Sequence, residues 1–118
     1  MEERRSVARW QINKEAGLTF EDGVSPIPCV VEDISPRGMK VSLRRELFPE
    51  AFSNFNIALS DGFEFNSGAQ VAWSEKVYEE DVYGLSFSRI EEPVKNRIVQ
   101  YIKDNFPDEM RKQLWSGT

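Results

Sequence analysis

Large apolar residues alternate with polar ones in short runs between residues 10 and 90, a pattern typical of half-buried β-strands. It predicts about six short strands, located at 10–12 with 18–20, 29–34, 39–43, 56–60, 69–75 and 82–88. Met39, Val41 and Leu43 are expected on one strand face, and Tyr83, Leu85 and Phe87 on another. A third shared face is expected for Ala69, Val71 and Trp73. Short connections between such strands favour an antiparallel barrel or sandwich.

Turn-forming residues separate these runs, namely Asp22-Gly23, the segment 35–38, Asp61-Gly62 and Asn66-Ser67-Gly68. The acidic segment 79–81 is expected to be an exposed connection, and 47–52 an irregular helical turn. From Pro93 onward the spacing is helical, with Val94, Ile98, Tyr101 and Ile102 on one face. Pro107 is expected to end this helix, and Asp108 to cap a final short one. We expect the amphipathic helix to lie on the barrel over an apolar opening.

Composition and charge narrow the function classes. The chain has 118 residues, 40% of them hydrophobic, which fits one compact domain. Its net charge is −5, and residues 46–118 hold seven basic against thirteen acidic residues. This balance conflicts with a broad DNA- or RNA-binding face. A lone cysteine (Cys29), no membrane span and no secretory signal predict a cytoplasmic protein. Cys29, in an apolar strand, is expected to be a buried, inert thiol.

Two motifs carry candidate chemistry. Arg5 and Arg9 form an RxxxR spacing, with Arg4 directly before it. Asp33, Ser35 and Gly38 form a DxSxxG spacing at the end of a predicted strand. Each motif alone is weak, because arginine pairs and turn-like compositions are common. Their order, with one strand and one turn between them, is more specific.

With these motifs the sequence resembles the PilZ family of cyclic di-GMP receptor domains. The segment Tyr83-Gly84-Leu85-Ser86-Phe87 is similar to that family's closing-strand signature. The resemblance, from Arg4 to about Asn105, implies an all-β fold: a six-stranded antiparallel PilZ-type β-barrel with a C-terminal α-helix packed on it. It implies a single domain over 1–118, with a flexible arginine-bearing segment 1–9, a barrel 10–90 and a helical segment 92–116.

The resemblance also implies a ligand, cyclic di-GMP, and the residues that bind it: Arg4, Arg5, Arg9, Asp33, Ser35, Gly38 and Trp73. The chemistry of these residues agrees. The arginine fork matches guanine O6 and N7 and binds phosphate, and an ionised aspartate accepts from guanine N1–H and N2–H. Arg4 ahead of RxxxR resembles the pattern associated with two intercalated nucleotides per protomer, which is a hypothesis here. No cofactor or metal is expected.

The candidate ligand-binding residues and their neighbours could also have simpler structural roles. The arginines could belong to a solvated tail, and Asp33 and Ser35 could hydrogen-bond their own turn. Gly38 could serve only the turn. Arg37 and Lys40 could be plain exposed cations. Trp73 could be a core residue or stack on a guanine. Trp10 is expected to anchor the first strand.

Catalysis is not expected. The chain contains no histidine, and one cysteine cannot build a zinc cluster. The resemblance implies a bacterial second-messenger receptor that changes conformation and signals to an unidentified downstream protein. The alternative is a PilZ-like interaction adaptor that binds no nucleotide. A nucleic-acid-binding barrel conflicts with the acidic pI of about 4.8.

Overall fold

The computed structural model describes residues 9–21, 23 and 25–116, with side chains up to residue 112. In this part of the chain six strands form a closed antiparallel barrel in the order β1-β2-β3-β6-β5-β4. The strands are β1 (Trp10–Phe20), β2 (Ile27–Ser35), β3 (Gly38–Leu43), β4 (Phe55–Leu59), β5 (Glu64–Val77) and β6 (Glu80–Arg89). A 3-10 helix (Pro49–Ser53) precedes β4, and α1 (Glu92–Asn105) and α2 (Pro107–Ser116) follow β6. The predicted fold class is confirmed.

Alternate strand residues fill the barrel, as the period of two requires. The predicted inward residues of β3 and β6 pack in one core, with Phe87 at its margin. The predicted helical turn at 47–52 is the 3-10 helix, and its Phe52 is fully buried. The Phe52 ring contacts Phe20, Phe55 and Tyr83, with ring centroids 5.2–6.2 Å apart. This aromatic group therefore closes one part of the core.

Strand β1 runs without interruption through both segments assigned to the first predicted strand, 10–12 and 18–20. The register between β1 and β2 shifts between Gln11 and Lys14, and Asn13 within this bulge has a positive φ of 46°. Asparagine tolerates this left-handed conformation better than most residues. Trp10 is buried at the start of the strand, so its predicted anchoring role is confirmed.

Two predicted connections are strands instead. Asn66-Ser67-Gly68 lies inside β5, where the Ser67 hydroxyl donates to the Arg89 carbonyl of β6. Glu80 and Asp81 belong to β6, so the charged segment 79–81 is an exposed connection only at Glu79. Ion pairs make these carboxylates tolerable in a strand, since Lys76 lies 3.3 Å from Asp81 and Arg44 lies 3.9 Å from Glu80.

The C-terminal helices pack on the barrel. Pro93 lies in the first turn of α1, and Ile98, Tyr101 and Ile102 are buried, as predicted. The proposed cap at Asp108 is wrong, because α2 already begins at Pro107 and places Asp108 inside its first turn. The Glu109 carboxylate of α2 accepts the Gln11 N–H at 2.9 Å and so holds the helix to the start of β1.

The contact between Tyr101 of α1 and Asp61 also holds the helix to the barrel. The Tyr101 hydroxyl donates to Asp61 Oδ2 at 2.6 Å. Burial raises the pKa of the Asp61 carboxyl, but the Tyr101 bond, the Phe63 N–H and the Lys14 charge together leave this pKa below its ordinary value. The ionised carboxylate therefore stabilises the fold above the ordinary Asp pKa, and this contribution is lost as the pH falls through the lowered value.

Tyr101→Phe is expected to lower the free energy of unfolding by about 1–2 kcal/mol at neutral pH, because a partly exposed charged hydrogen bond is lost. Urea denaturation at neutral and acidic pH measures the effect, and the difference from the unmodified chain should shrink in acid. Tyr78→Phe, at an exposed tyrosine, should leave stability unchanged. A pH-independent loss for Tyr101→Phe would show that packing, and not the bond to Asp61, holds the helix.

Candidate functional site

The DxSxxG motif forms the tight connection between β2 and β3. Ser35 pairs with Gly38 in register, and Pro36 and Arg37 form the turn between them. The Ser35 hydroxyl oxygen accepts the Arg37 N–H at 3.0 Å, and the Arg37 carbonyl accepts the Phe87 N–H of β6 at 2.8 Å. Ser35 is fully buried. Its simpler role, bonding its own turn, is therefore present, and this bond fixes the position of the motif.

Gly38 is required by close packing. A Cβ built at this position would lie 2.1 Å from the Leu85 carbonyl oxygen of β6. Its backbone does not have a positive φ, so the constraint is steric and not conformational. Any side chain here would force β3 and β6 apart and displace the turn beside them.

Strand register brings four residues into one row across the barrel. Asp33 of β2 pairs with Lys40 of β3, Lys40 with Gly84 of β6, and Gly84 with Trp73 of β5. Because the neighbours of Lys40 in β3 point into the core, the row lies on the outer face. Lys40 is half-buried and lies 3.3 Å from Glu32, so it is not the plain exposed cation of the sequence interpretation.

Arg9 joins this row at its β2 end. It directly precedes Trp10, which pairs with Ile34, so the register places Arg9 beside the end of β2. Its Nη1 lies 3.4 Å from Asp33 Oδ1. The structure thus brings one residue of the RxxxR motif to the first residue of the DxSxxG motif. Arg4 and Arg5, the other predicted arginines, lie outside the described residues.

The Asp33 carboxyl is buried but not satisfied. Only 6% of the residue is exposed, and Oδ1 accepts no hydrogen bond from the described residues. Arg9 supplies a nearby charge without an aligned bond. Burial raises the pKa of Asp33, and the charges of Arg9 and Lys40 only partly offset this effect. A buried acceptor without a donor is costly, so a donor from a ligand, from water or from another part of the chain is expected to reach it.

Trp73 does not share a face with Ala69 and Val71, contrary to the sequence prediction. The register between β5 and β6 shifts between Val71 and Trp73, and this bulge breaks the alternation. Trp73 is therefore 43% exposed on the outer face and is not a core residue. Its indole lies directly over Gly84, where an added Cβ would approach Nε1 to 2.2 Å.

Gly84→Ala is expected to displace this indole, because the added methyl group occupies its place. In a ¹H–¹⁵N spectrum the Trp73 indole N–H resonance, assigned with Trp73→Phe, should move while the resonances of the other two tryptophans stay. If Trp73 stacks on a bound base, ligand affinity should fall about 5- to 150-fold, the equivalent of about 1–3 kcal/mol. An unmoved indole resonance would contradict the contact with Gly84.

An open groove of about 680 Å³ lies elsewhere on the barrel. It lies between Pro26–Val30 of the β2 side and Ser42–Arg45 of the β3 side, and none of the predicted site residues lines it. Cys29 faces this end of the barrel as a buried thiol, and burial raises its pKa to about 12. The expected inert role is consistent with that value. The described residues of the two motifs, Arg9, Asp33, Ser35 and Gly38, lie instead at the turn between β2 and β3.

Sequence reasoning did not anticipate the contact of Gly84 with the indole, nor the ion pair of Lys40. Alternation around Met39 and Val41 was a signal that Lys40 faces outward. No comparable signal located Gly84 beneath Trp73, since that contact depends on the β5 bulge.

A comparison with protein families identifies the family of the chain. The PilZ domain model matches residues 3–104, and the chain belongs to the PilZ domain family. Among curated proteins no sequence match was found.

Solved structures share the fold. YcgR of Escherichia coli in complex with c-di-GMP superposes with a TM-score of 0.66 and 19% identity, covering 98% of this chain and 51% of that one. The Bacillus subtilis inhibitor of motility MotI/DgrA superposes with a TM-score of 0.65 and 18% identity, covering 96% of this chain and 53% of that one. The PilZ domain of Escherichia coli YcgR with c-di-GMP superposes with a TM-score of 0.64 and 17% identity, covering 93% of this chain and 97% of that one. The chain therefore spans about half the length of the first two proteins.

Two further properties of the described residues bear on function. No helix among them is long and apolar enough to cross a membrane. They contain no group of three or more side chains arranged to hold a metal ion.

Proposed function

We propose that the chain is a receptor for cyclic di-GMP that binds the nucleotide on the outer face of the barrel, beside the turn between β2 and β3. The observation that carries this proposal is the meeting of Arg9 with the buried, unsatisfied carboxyl of Asp33. Membership in the PilZ family and the c-di-GMP complexes of two similar structures support it.

Asp33 recognises guanine in this proposal. Its ionised carboxylate accepts hydrogen bonds from N1–H and N2–H of the base, which supply the donors that Oδ1 lacks. Ser35 holds the turn through its bond to Arg37, and Gly38 allows β3 to lie close against β6. These two residues therefore act largely by positioning Asp33.

Arginine side chains supply the positive charge that the nucleotide requires. Arg9, exposed beside Asp33, donates to a phosphate or to guanine O6 and N7, and Arg5 does the same from the segment that precedes it. Arg4 extends the cluster, and we propose that it admits a second, intercalated nucleotide. Trp73 stacks on a base from the opposite end of the row, with its indole held over Gly84.

In this proposal the signal arises because nucleotide binding orders the N-terminal segment. The arginine-bearing segment 1–9 closes over the nucleotide and creates a surface, partly protein and partly ligand, which a downstream protein reads in the bacterial cytoplasm. The chain acts as one PilZ domain, with the barrel at 10–90 and helices at 92–116, and as a binding protein without catalytic activity. The alternative, an adaptor that binds no nucleotide, would leave Oδ1 of Asp33 without a donor from the residues that the structure describes.

Base selectivity tests this proposal. Adenine lacks the N1–H and N2–H donors that Asp33 requires, so an unlabelled cyclic di-AMP competitor should displace labelled cyclic di-GMP at least about 100-fold less well than cyclic di-GMP itself. Equal competition would contradict guanine recognition by Asp33. No binding of either nucleotide to the folded protein would favour the adaptor.

A further inference from the structure

The hairpin of β5 and β6 has an open edge. Strand β4 pairs with β5 only as far as Ser67, and beyond that point β5 pairs with β6 alone among the described residues. Ala72–Val77 on this strand are six consecutive exposed residues. Such an edge presents unpaired backbone donors and acceptors, to which another strand can be added.

The turn that ends this edge carries a strained aromatic residue. Val77 pairs with Glu80, so Tyr78 and Glu79 form a two-residue turn. Tyr78 has a φ of 58°, a left-handed conformation that glycine or asparagine adopts more readily. Its side chain is 95% exposed, so packing contributes little to offset this strain. A costly residue at an exposed tip indicates a role outside the fold.

Exposed apolar side chains are concentrated on the same hairpin. Trp73, Val77 and Tyr78 are three of the four large hydrophobic residues that the described part of the chain exposes; the fourth, Phe48, lies in another loop. Aromatic residues of this kind are enriched at protein interfaces.

The charge of the hairpin is negative and only partly balanced. Asp81 is paired with Lys76, and Glu80 lies 3.9 Å from Arg44. Glu75 and Glu79 have no ion-pair partner among the described residues. Their charges would repel nucleic acid and anionic membranes, and would attract a basic polypeptide.

From these observations we infer that the edge Ala72–Val77, together with the turn Tyr78–Glu79, docks a partner protein through a basic, extended segment. We name this region the hairpin surface. The segment adds as a strand along β5, its Lys or Arg residues face Glu75 and Glu79, and an apolar group covers Val77 and Tyr78. The inference does not depend on nucleotide binding, so it can fail while the receptor function stands.

Selection from a library of short random peptides, displayed against the immobilised nucleotide-free protein, tests this inference. Enriched peptides should alternate basic and apolar residues, as an added strand requires. Synthetic copies should shift the backbone NMR resonances of residues 72–79. No enrichment, enrichment of acidic or uncharged peptides, or shifts confined to another face would overturn the inference. Sedimentation showing a dimer through this edge would assign the surface to a second copy and also overturn it.

Substitutions in the hairpin surface can distinguish an effect on docking from an effect on folding. Tyr78→Gly should raise Tm by about 2–4 °C by relieving the left-handed strain, yet weaken peptide binding about tenfold or more. A Glu75→Lys, Glu79→Lys double variant should weaken binding at low salt by a similar factor, with Tm nearly unchanged. The matched control is Phe48→Ser, which removes another highly exposed aromatic residue from a different loop and should not change binding. Equal losses for Phe48→Ser and Tyr78→Gly would contradict the inference.

Discussion

Replacing Arg9 by alanine is expected to weaken cyclic di-GMP binding about 30- to 150-fold, the equivalent of about 2–3 kcal/mol. The expected loss is large because, in the proposed complex, the guanidinium makes charge-assisted hydrogen bonds to the nucleotide, and because it lies 3.4 Å from Asp33. Because the Arg9 charge partly offsets the burial of Asp33, its removal should also lower the free energy of unfolding slightly, by up to about 1 kcal/mol, which is too little to unfold the protein.

The matched control for this prediction is Arg44→Ala. It removes the same positive charge from an exposed site at the opposite end of β3, next to Glu80. We expect its affinity to stay within about threefold of the unmodified chain at physiological salt, where distant charges are screened. Equal losses for the two variants would mean that general electrostatic attraction, and not a specific contact of Arg9, binds the nucleotide.

Asp33→Asn is expected to weaken binding about 150-fold, or about 3 kcal/mol. The asparagine amide keeps one acceptor oxygen, but its NH2 group replaces the second one. One hydrogen bond to guanine is therefore lost, and the amide NH2 faces a guanine N–H, so that two donors oppose each other. Stability should stay constant or rise at neutral pH. Because burial raises the pKa of Asp33, the ionised carboxylate costs folding free energy above the ordinary Asp pKa, and this cost vanishes in acid.

Fluorescence anisotropy with a labelled nucleotide across pH checks this prediction. Binding to the unmodified chain should weaken as the pH falls through the raised pKa of Asp33, since protonation removes an acceptor. The Asp33→Asn variant should lack this dependence. Asp104→Asn, at an exposed carboxylate of α1, is the control and should bind normally. A destabilised Asp33→Asn protein with unchanged affinity would assign the carboxylate to structure alone.

Sequence periodicity predicted the barrel well where alternation is regular. In β3 and β6 each inward residue was identified correctly, because strand geometry alone determines the face. One error occurs where alternation breaks, because the bulge before Trp73 reversed the face of that residue. Bulges depend on pairing with a neighbouring strand, which a local pattern does not contain.

The site was predictable in its residue types but not in its geometry. The two motif spacings named Arg9 and Asp33, yet only the register of β1 with β2 brings their side chains within 3.4 Å. The unsatisfied Oδ1 of Asp33 is likewise a property of packing, since it requires knowledge of which donors lie nearby. The same holds for Gly38, whose need to lack a side chain comes from the Leu85 carbonyl of a distant strand.

Calorimetric titration of the purified protein with cyclic di-GMP tests the central claim most directly, with an Arg5→Ala, Arg9→Ala double variant alongside. We predict saturable binding to the unmodified chain and none to the double variant at the same concentrations. Two nucleotides per chain would support the role proposed for Arg4, and one would reject it while leaving the receptor function intact. Absence of binding heat and of any thermal shift, from a protein shown to be folded, would contradict the claim.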